Sequence, residues 1–120
     1  MNPSSSRRWL PDSNLDEGSR GVEVRTVMIV GVCTIELRLR EAHSLKEKRQ
    51  VLKSIITRVK NNFNVAIAEV DYQDKWQRAA LGVAVVSTAQ DHANGILSKV
   101  VNFVESMYVA DLLDYHIELW

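Results

Sequence analysis

From Ile29 to Trp120 the apolar residues change period from two to about 3.6 and back, and do so twice. That succession limits the available folds more than any single motif does. The odd positions Ile29, Gly31, Cys33, Ile35, Leu37 and Leu39 are mostly apolar, while the even ones turn polar at Thr34, Glu36, Arg38 and Arg40. Such alternation predicts a strand with one buried face. Ser44 then precedes Leu45, with Glu47 three residues on. At this spacing a serine oxygen and a glutamate carboxylate satisfy free N–H groups of a first helical turn. Leu45, Leu52, Ile56, Val59 and Phe63, with Ile55 at the edge, fall on one side of a helix that advances about 100° per residue. Lys60, Asn61 and Asn62 suit its negative end and a left-handed exit.

Val65 to Tyr72 and Leu81 to Val86 predict two more strands, joined by a polar stretch from Asp71 to Ala79 that suits a hairpin tip rather than a crossover. Thr88 and Asp91 repeat the capping spacing, and Ala93, Leu97, Val100, Val104 and Met107 trace a second apolar stripe from about Ala89 to Tyr108. Leu113, Tyr115, Ile117 and Leu119 alternate with Asp114, His116, Glu118 and Trp120 as a last strand. The order is strand, helix, strand, strand, helix, strand. With right-handed crossovers it predicts an α+β, ferredoxin-like split βαβ sandwich (βαββαβ), a four-stranded antiparallel sheet with two helices on one face.

Residues 1–27 read differently, with Pro3, Pro11, a run of three serines, Gly18 and Gly21 among isolated apolar residues. They cannot bury a core and are expected to be a disordered N-terminal extension to a domain at 28–120. Both an addition upstream of Met28 and a genuine mobile arm remain open. The 120 residues suffice for one core. Fifteen basic residues balance fifteen acidic ones, which removes the bulk argument for nucleic acid or an anionic membrane as a partner, and no DNA is expected. One cysteine, Cys33, and three scattered histidines (His43, His92, His116) offer neither a disulfide nor metal-ligand spacing, so no metal and no cofactor are expected. No stretch of 18 apolar residues exists for a membrane span and the N-terminus lacks the apolar core of a secretory signal, so the expected address is cytoplasmic.

Three segments in combination carry a resemblance: His43-Ser44-Leu45-Lys46-Glu47-Lys48-Arg49, Phe63-Asn64-Val65-Ala66-Ile67-Ala68-Glu69-Val70, and Asp74-Lys75-Trp76-Gln77-Arg78-Ala79, the last followed by Leu81 to Val86. With them, residues 28 to 120 resemble the DUF503, or YlxP-like, family of small bacterial proteins. The resemblance implies a ferredoxin-like fold and a loose association with translation genes. It implies no activity and no catalytic residues.

The residues themselves argue against catalysis. The link Arg40-Glu41-Ala42-His43-Ser44 lacks the glycines of a phosphate-cradling loop. Glu69 and Asp71 share a strand parity and could form an acid/base pair, although such pairs more often line a solvated face. Cys33 lies on the apolar parity, where a thiol is ordinarily packing volume.

Charge distribution says more. Residues 28–63 hold eight basic and three acidic side chains, and residues 64–120 the reverse. On the first helix Lys46, Arg49, Lys53 and Lys60 lie within about 60° of one another. Such a ridge can follow the phosphates of RNA, although a ridge of this kind is more often a solvated face. The central strands offer Val30, Val32, Thr34, Ala80, Gly82, Ala84 and Val86 on the side away from the helices, with no aromatic platform for bases. A small-residue apolar face suits contact with a second copy, through Val30, Val32, Ala84 and Val86. Trp76, at the hairpin tip beside Arg78, suits either a recognition contact or closure of one end of the core.

The expectation is therefore a non-enzymatic homodimer that binds RNA or a ribosomal particle through Arg38, Lys46, Arg49, Lys53, Lys60, Trp76 and Arg78. The alternative is a small metabolic enzyme or ligand-binding homodimer with a site at the dimer seam.

Overall fold

Cys33, Ile35 and Leu37 turn inward and Thr34 and Arg38 outward along the first strand, β1 (Ile29–Arg38). The computed structural model describes residues 27–120; the expectation for the N-terminal extension lies outside these residues, apart from Val27. After β1 come α1 (Leu45–Asn62), β2 (Ala66–Asp71), β3 (Arg78–Ser87), α2 (Gln90–Ser106) and β4 (Asp111–Leu119). The strands form one sheet in the order β2-β3-β1-β4, with every neighbouring pair antiparallel. The fold is α+β and ferredoxin-like, as the periodicities predict.

Both helices cover the same side of the sheet. Leu52, Ile55 and Val59 of α1 and Ala93, Leu97, Val100 and Val104 of α2 share one buried cluster with the inward residues of β1 and β3. The stripe of α1 is rotated slightly from expectation, with Ile55 fully buried and Ile56 only partly so. Phe63, just past the end of α1, and Phe103 of α2 meet edge to face, 5.4 Å between ring centroids.

The caps show where side-chain spacing and backbone geometry part. Ser44 Oγ accepts from Glu47 N at 3.1 Å, and Glu47 Oε1 accepts from His43 N at 2.8 Å, one residue further back than in a strict reciprocal box. At the other end the predicted left-handed exit is absent. Phe63 is extended, and Asn62 Nδ2 donates to the Arg58 carbonyl at 2.8 Å, so the side chain does what a left-handed turn would have done. Thr88 does not cap α2. Its N-cap is Ala89, whose own N–H is held by Ser87 Oγ at 3.2 Å.

Two register shifts also correct the sequence reading. In β4 the ladder to β1 slips between Glu36 and Leu37, so Leu112, not Leu113, packs on the core. In β2 the ladder to β3 slips between Glu69 and Asp71, placing Glu69 opposite inward-facing Leu81 and Asp71 opposite outward-facing Ala80. The two carboxylates leave the sheet on opposite sides, which removes the acid/base pair their parity suggested.

Candidate functional site

One end of the sandwich gathers most of the charged chemistry. The hairpin between β2 and β3 turns at Tyr72, whose φ of 61° lies in the left-handed region that a bulky residue occupies only when held there. Several contacts hold it. Tyr72 N donates to Asp71 Oδ1 at 2.7 Å, its carbonyl accepts from Lys75 N at 3.0 Å and from Lys48 Nζ at 2.5 Å, and its ring lies 4.8 Å from the Arg78 guanidinium. Lys48 is 1% exposed, the one buried charged residue of the described core, and its ammonium also lies 2.8 Å from Glu69 Oε2. Its directed hydrogen bond goes to the Tyr72 carbonyl, and Glu69 supplies the counter-charge. Sequence reasoning counted Lys48 among the basic residues without assigning it a task. The signal was present: Lys48 stands four residues before Leu52 and seven before Ile55, on the apolar stripe.

Gln77 ties the same hairpin to the β1–α1 link. Its Nε2 donates to the carbonyls of Arg40 and Ala42 at 3.2 and 3.1 Å, and its own carbonyl accepts from Leu39 N at 3.0 Å. This brings Trp76, Gln77 and Arg78 beside Arg38 and Arg40. Arg38 and Arg78 are direct partners in the β1–β3 ladder. Arg78 Nη2 donates to Glu36 Oε1 at 2.8 Å, and Arg40 Nε donates to Asp111 Oδ2 at 2.6 Å. Arg38 forms no ion pair among the described residues. Arg38, Arg40, Gln77 and Arg78 line a hollow of about 550 Å³, and an adjoining one of about 430 Å³ runs from Asp74 to Arg78 with Trp76 in its wall. Trp76 is 52% exposed.

Lys46, Arg49, Lys53 and Lys60 are all exposed along α1, and none forms an ion pair among the described residues. On the sheet's uncovered side Val32, Ala66, Ala68, Val70, Gly82 and Ala84 line a shallow, mainly apolar depression of about 490 Å³. Val70 folds over Gly82, so closely that a Cβ there would meet Val70 Cγ1 at 2.8 Å. Val30 and Val32 are half-buried, and Val86 is exposed. Glu118, His116 and Asp114 stand across the ladder from Val32, Thr34 and Glu36, which puts two carboxylates and an imidazole along the β4 margin.

Among the described residues no three of His, Cys, Asp and Glu come together as metal ligands. Burial pushes the Cys33 thiol up to about 11, against a smaller opposing effect of a backbone hydrogen bond at His116, which keeps it protonated and inert near neutrality. His92 Nδ1 lies 3.0 Å from Ser87 Oγ and His116 Nε2 lies 3.0 Å from Glu118 Oε2, both in the open, and among the described residues no third group completes a nucleophilic relay. No described helix is long and apolar enough to cross a membrane.

A two-layer α+β sandwich whose second sheet face is left open by the described residues, with a guanidinium-rich hairpin end, defines the class. Over residues 30–117 the chain matches the family described as "Protein of unknown function (DUF503)", and it belongs to that family. It is 46% identical over 78 residues to Uncharacterized protein YlxP of Bacillus subtilis (strain 168), covering 65% of this chain and 85% of that protein. A solved structure of the C-terminal domain of a cyclometallase involved in the synthesis of the NPN cofactor of lactate racemase, in its apo form, is 15% identical with a TM-score of 0.36. That likeness covers 77% of this chain and 56% of the other, so this chain spans little more than half of its length.

Proposed function

We propose that this chain is a non-enzymatic, cytoplasmic binding protein whose α1 engages structured RNA, free or within a ribosomal particle. The observation that carries the reading is the exposed row Lys46, Arg49, Lys53 and Lys60, with no carboxylate at ion-pair distance among the described residues. From Lys46 to Lys60 the row runs about 21 Å along the helix, enough to meet several phosphates. Their charge is not spent inside the protein, and α1 is a rigid element that presents it in register. The bare sheet face supports contact through phosphates rather than stacked bases, since its two central strands carry no ring there. The test is anisotropy of a labelled RNA hairpin with the full chain and with Lys46→Ala/Arg49→Ala/Lys53→Ala/Lys60→Ala. A loss of tenfold or more is expected, and equal affinities would contradict the reading.

A second reading concerns the uncovered face. Its apolar depression of about 490 Å³ is floored by small residues, and a second copy of this chain is the partner such a surface suits. Val30, Val32, Ala84 and Val86 would then lie in the interface. A metabolite retained at that seam after purification would favour the alternative of a ligand-binding or catalytic homodimer over RNA binding.

A further inference from the structure

Arg38 and Arg78 stand directly opposite each other in the β1–β3 ladder, on the sheet side away from the helices. Like charges in that relation repel, so the arrangement costs stability unless something lies between or beside them. The protein compensates only one of the pair. Glu36, two residues before Arg38, bonds Arg78 at 2.8 Å. Asp111, which faces Arg38 across the β1–β4 ladder, turns instead to Arg40 at 2.6 Å. Arg38 is left exposed and without an ion pair among the described residues.

The donors are under-used as well. A guanidinium carries five N–H bonds in a planar fork. Arg40 engages its carboxylate through Nε alone and Arg78 through Nη2 alone. Arg78 Nε is shielded from the hollow and has no acceptor among the described residues, so the donors left for a ligand are the outward Nη groups. The Tyr72 ring on Arg78 and the two Gln77 hydrogen bonds to the β1–α1 link hold this cluster still. Beside it, sharing Gln77 and Arg78, lies the hollow walled by Trp76. A cluster of guanidinium groups next to a half-exposed indole matches a ligand with a phosphate at one end and a flat ring at the other.

We infer that Arg38, Arg40 and Arg78 with Trp76 form a binding site for a phosphorylated nucleotide, the guanidinium fork taking the phosphate and the indole stacking on the base. The site goes beyond the proposed RNA contact on α1 and stands without it. The same chemistry is offered by a free mononucleotide and by the 5′-phosphorylated end of an RNA chain.

The test is calorimetric titration of the full chain with 5′-AMP, adenosine and inorganic phosphate in turn. 5′-AMP is expected to bind at least tenfold more tightly than either fragment. Arg38→Ala, at an exposed position that should not disturb folding, should weaken 5′-AMP at least tenfold, and Trp76→Ala should do likewise with recovery in Trp76→Phe. The α1 variant Lys46→Ala/Lys53→Ala should leave 5′-AMP affinity unchanged, so this site and the α1 contact can fail separately. No binding of 5′-AMP, binding no tighter than that of adenosine or phosphate, or binding indifferent to Arg38→Ala would overturn the inference. Competition by 5′-phosphorylated and 5′-hydroxyl oligonucleotides then assigns the source. Displacement only by the phosphorylated one supports an RNA end, and displacement by neither supports a free nucleotide.

Discussion

Lys48 and Glu69 meet at 2.8 Å where α1 lies over β2, and the same ammonium donates to the carbonyl of Tyr72. One buried cation thus joins the first helix, the edge strand and the strained hairpin turn. Removing one member of a buried pair leaves the other without compensation, at a cost of about 3 to 5 kcal/mol. Glu69 keeps 20% of its side chain exposed, so the low end applies. Lys48→Met is expected to lose about 3 kcal/mol in urea unfolding, and Lys48→Met/Glu69→Leu to regain most of it. A single variant as stable as the parent would show that the pair does not hold the hairpin.

Trp76 lies half in solvent, and the hairpin is anchored by Gln77 and Lys48 without it. Trp76→Ala should therefore cost less than about 1 kcal/mol. A loss of ~3 kcal/mol or more would place the indole in the core instead.

The thiol of Cys33 should titrate late. Because burial raises its pKa from 9.0 to about 11 in the folded chain, the unfolded chain releases this proton first as pH rises. The stability it contributes is complete below pH 9 and is lost as pH climbs toward 11. Native protein at pH 8 should react slowly with a thiol reagent and fully once denatured. Equal rates would contradict its burial.

Ala84 sits in the apolar depression of the uncovered face between Val32 on β1 and Ala66 on β2. In Ala84→Lys the long stem can lie on the sheet with its charge in water, so Tm should stay within about 5 °C of the parent. Pairing through this face should be abolished. Light scattering is expected to show a dimer for the parent and a monomer for the variant at tens of micromolar, taking that range as on the order of ordinary dimer affinities. A parent that is monomeric, or a variant still dimeric, would remove the second reading.

The parts of this structure that were legible in the sequence are those encoded by side-chain alternation. The inward row Cys33, Ile35, Leu37 and the stripe Ala93, Leu97, Val100, Val104 set the elements, and their order sets the topology. The ridge Lys46, Arg49, Lys53, Lys60 was legible for the same reason, since helical angle follows from residue number alone. What escaped depends on backbone register. The shift between Glu69 and Asp71 separates two carboxylates that parity places together, and no side chain announces it. The opposition of Arg38 and Arg78 likewise exists only once β1 and β3 are aligned. Lys48 escaped because a lysine is expected to carry its charge to water, whereas here Glu69 and a backbone carbonyl meet it under the hairpin.

The central claim, that α1 binds RNA through phosphates, is tested most directly by the salt dependence of affinity for one RNA hairpin. Neutralising four phosphates should give a slope of log K against log salt of about −3, which the alanine variant of the α1 row should flatten to about zero. A parent whose affinity is indifferent to salt, or a variant with the parent's slope, would contradict it.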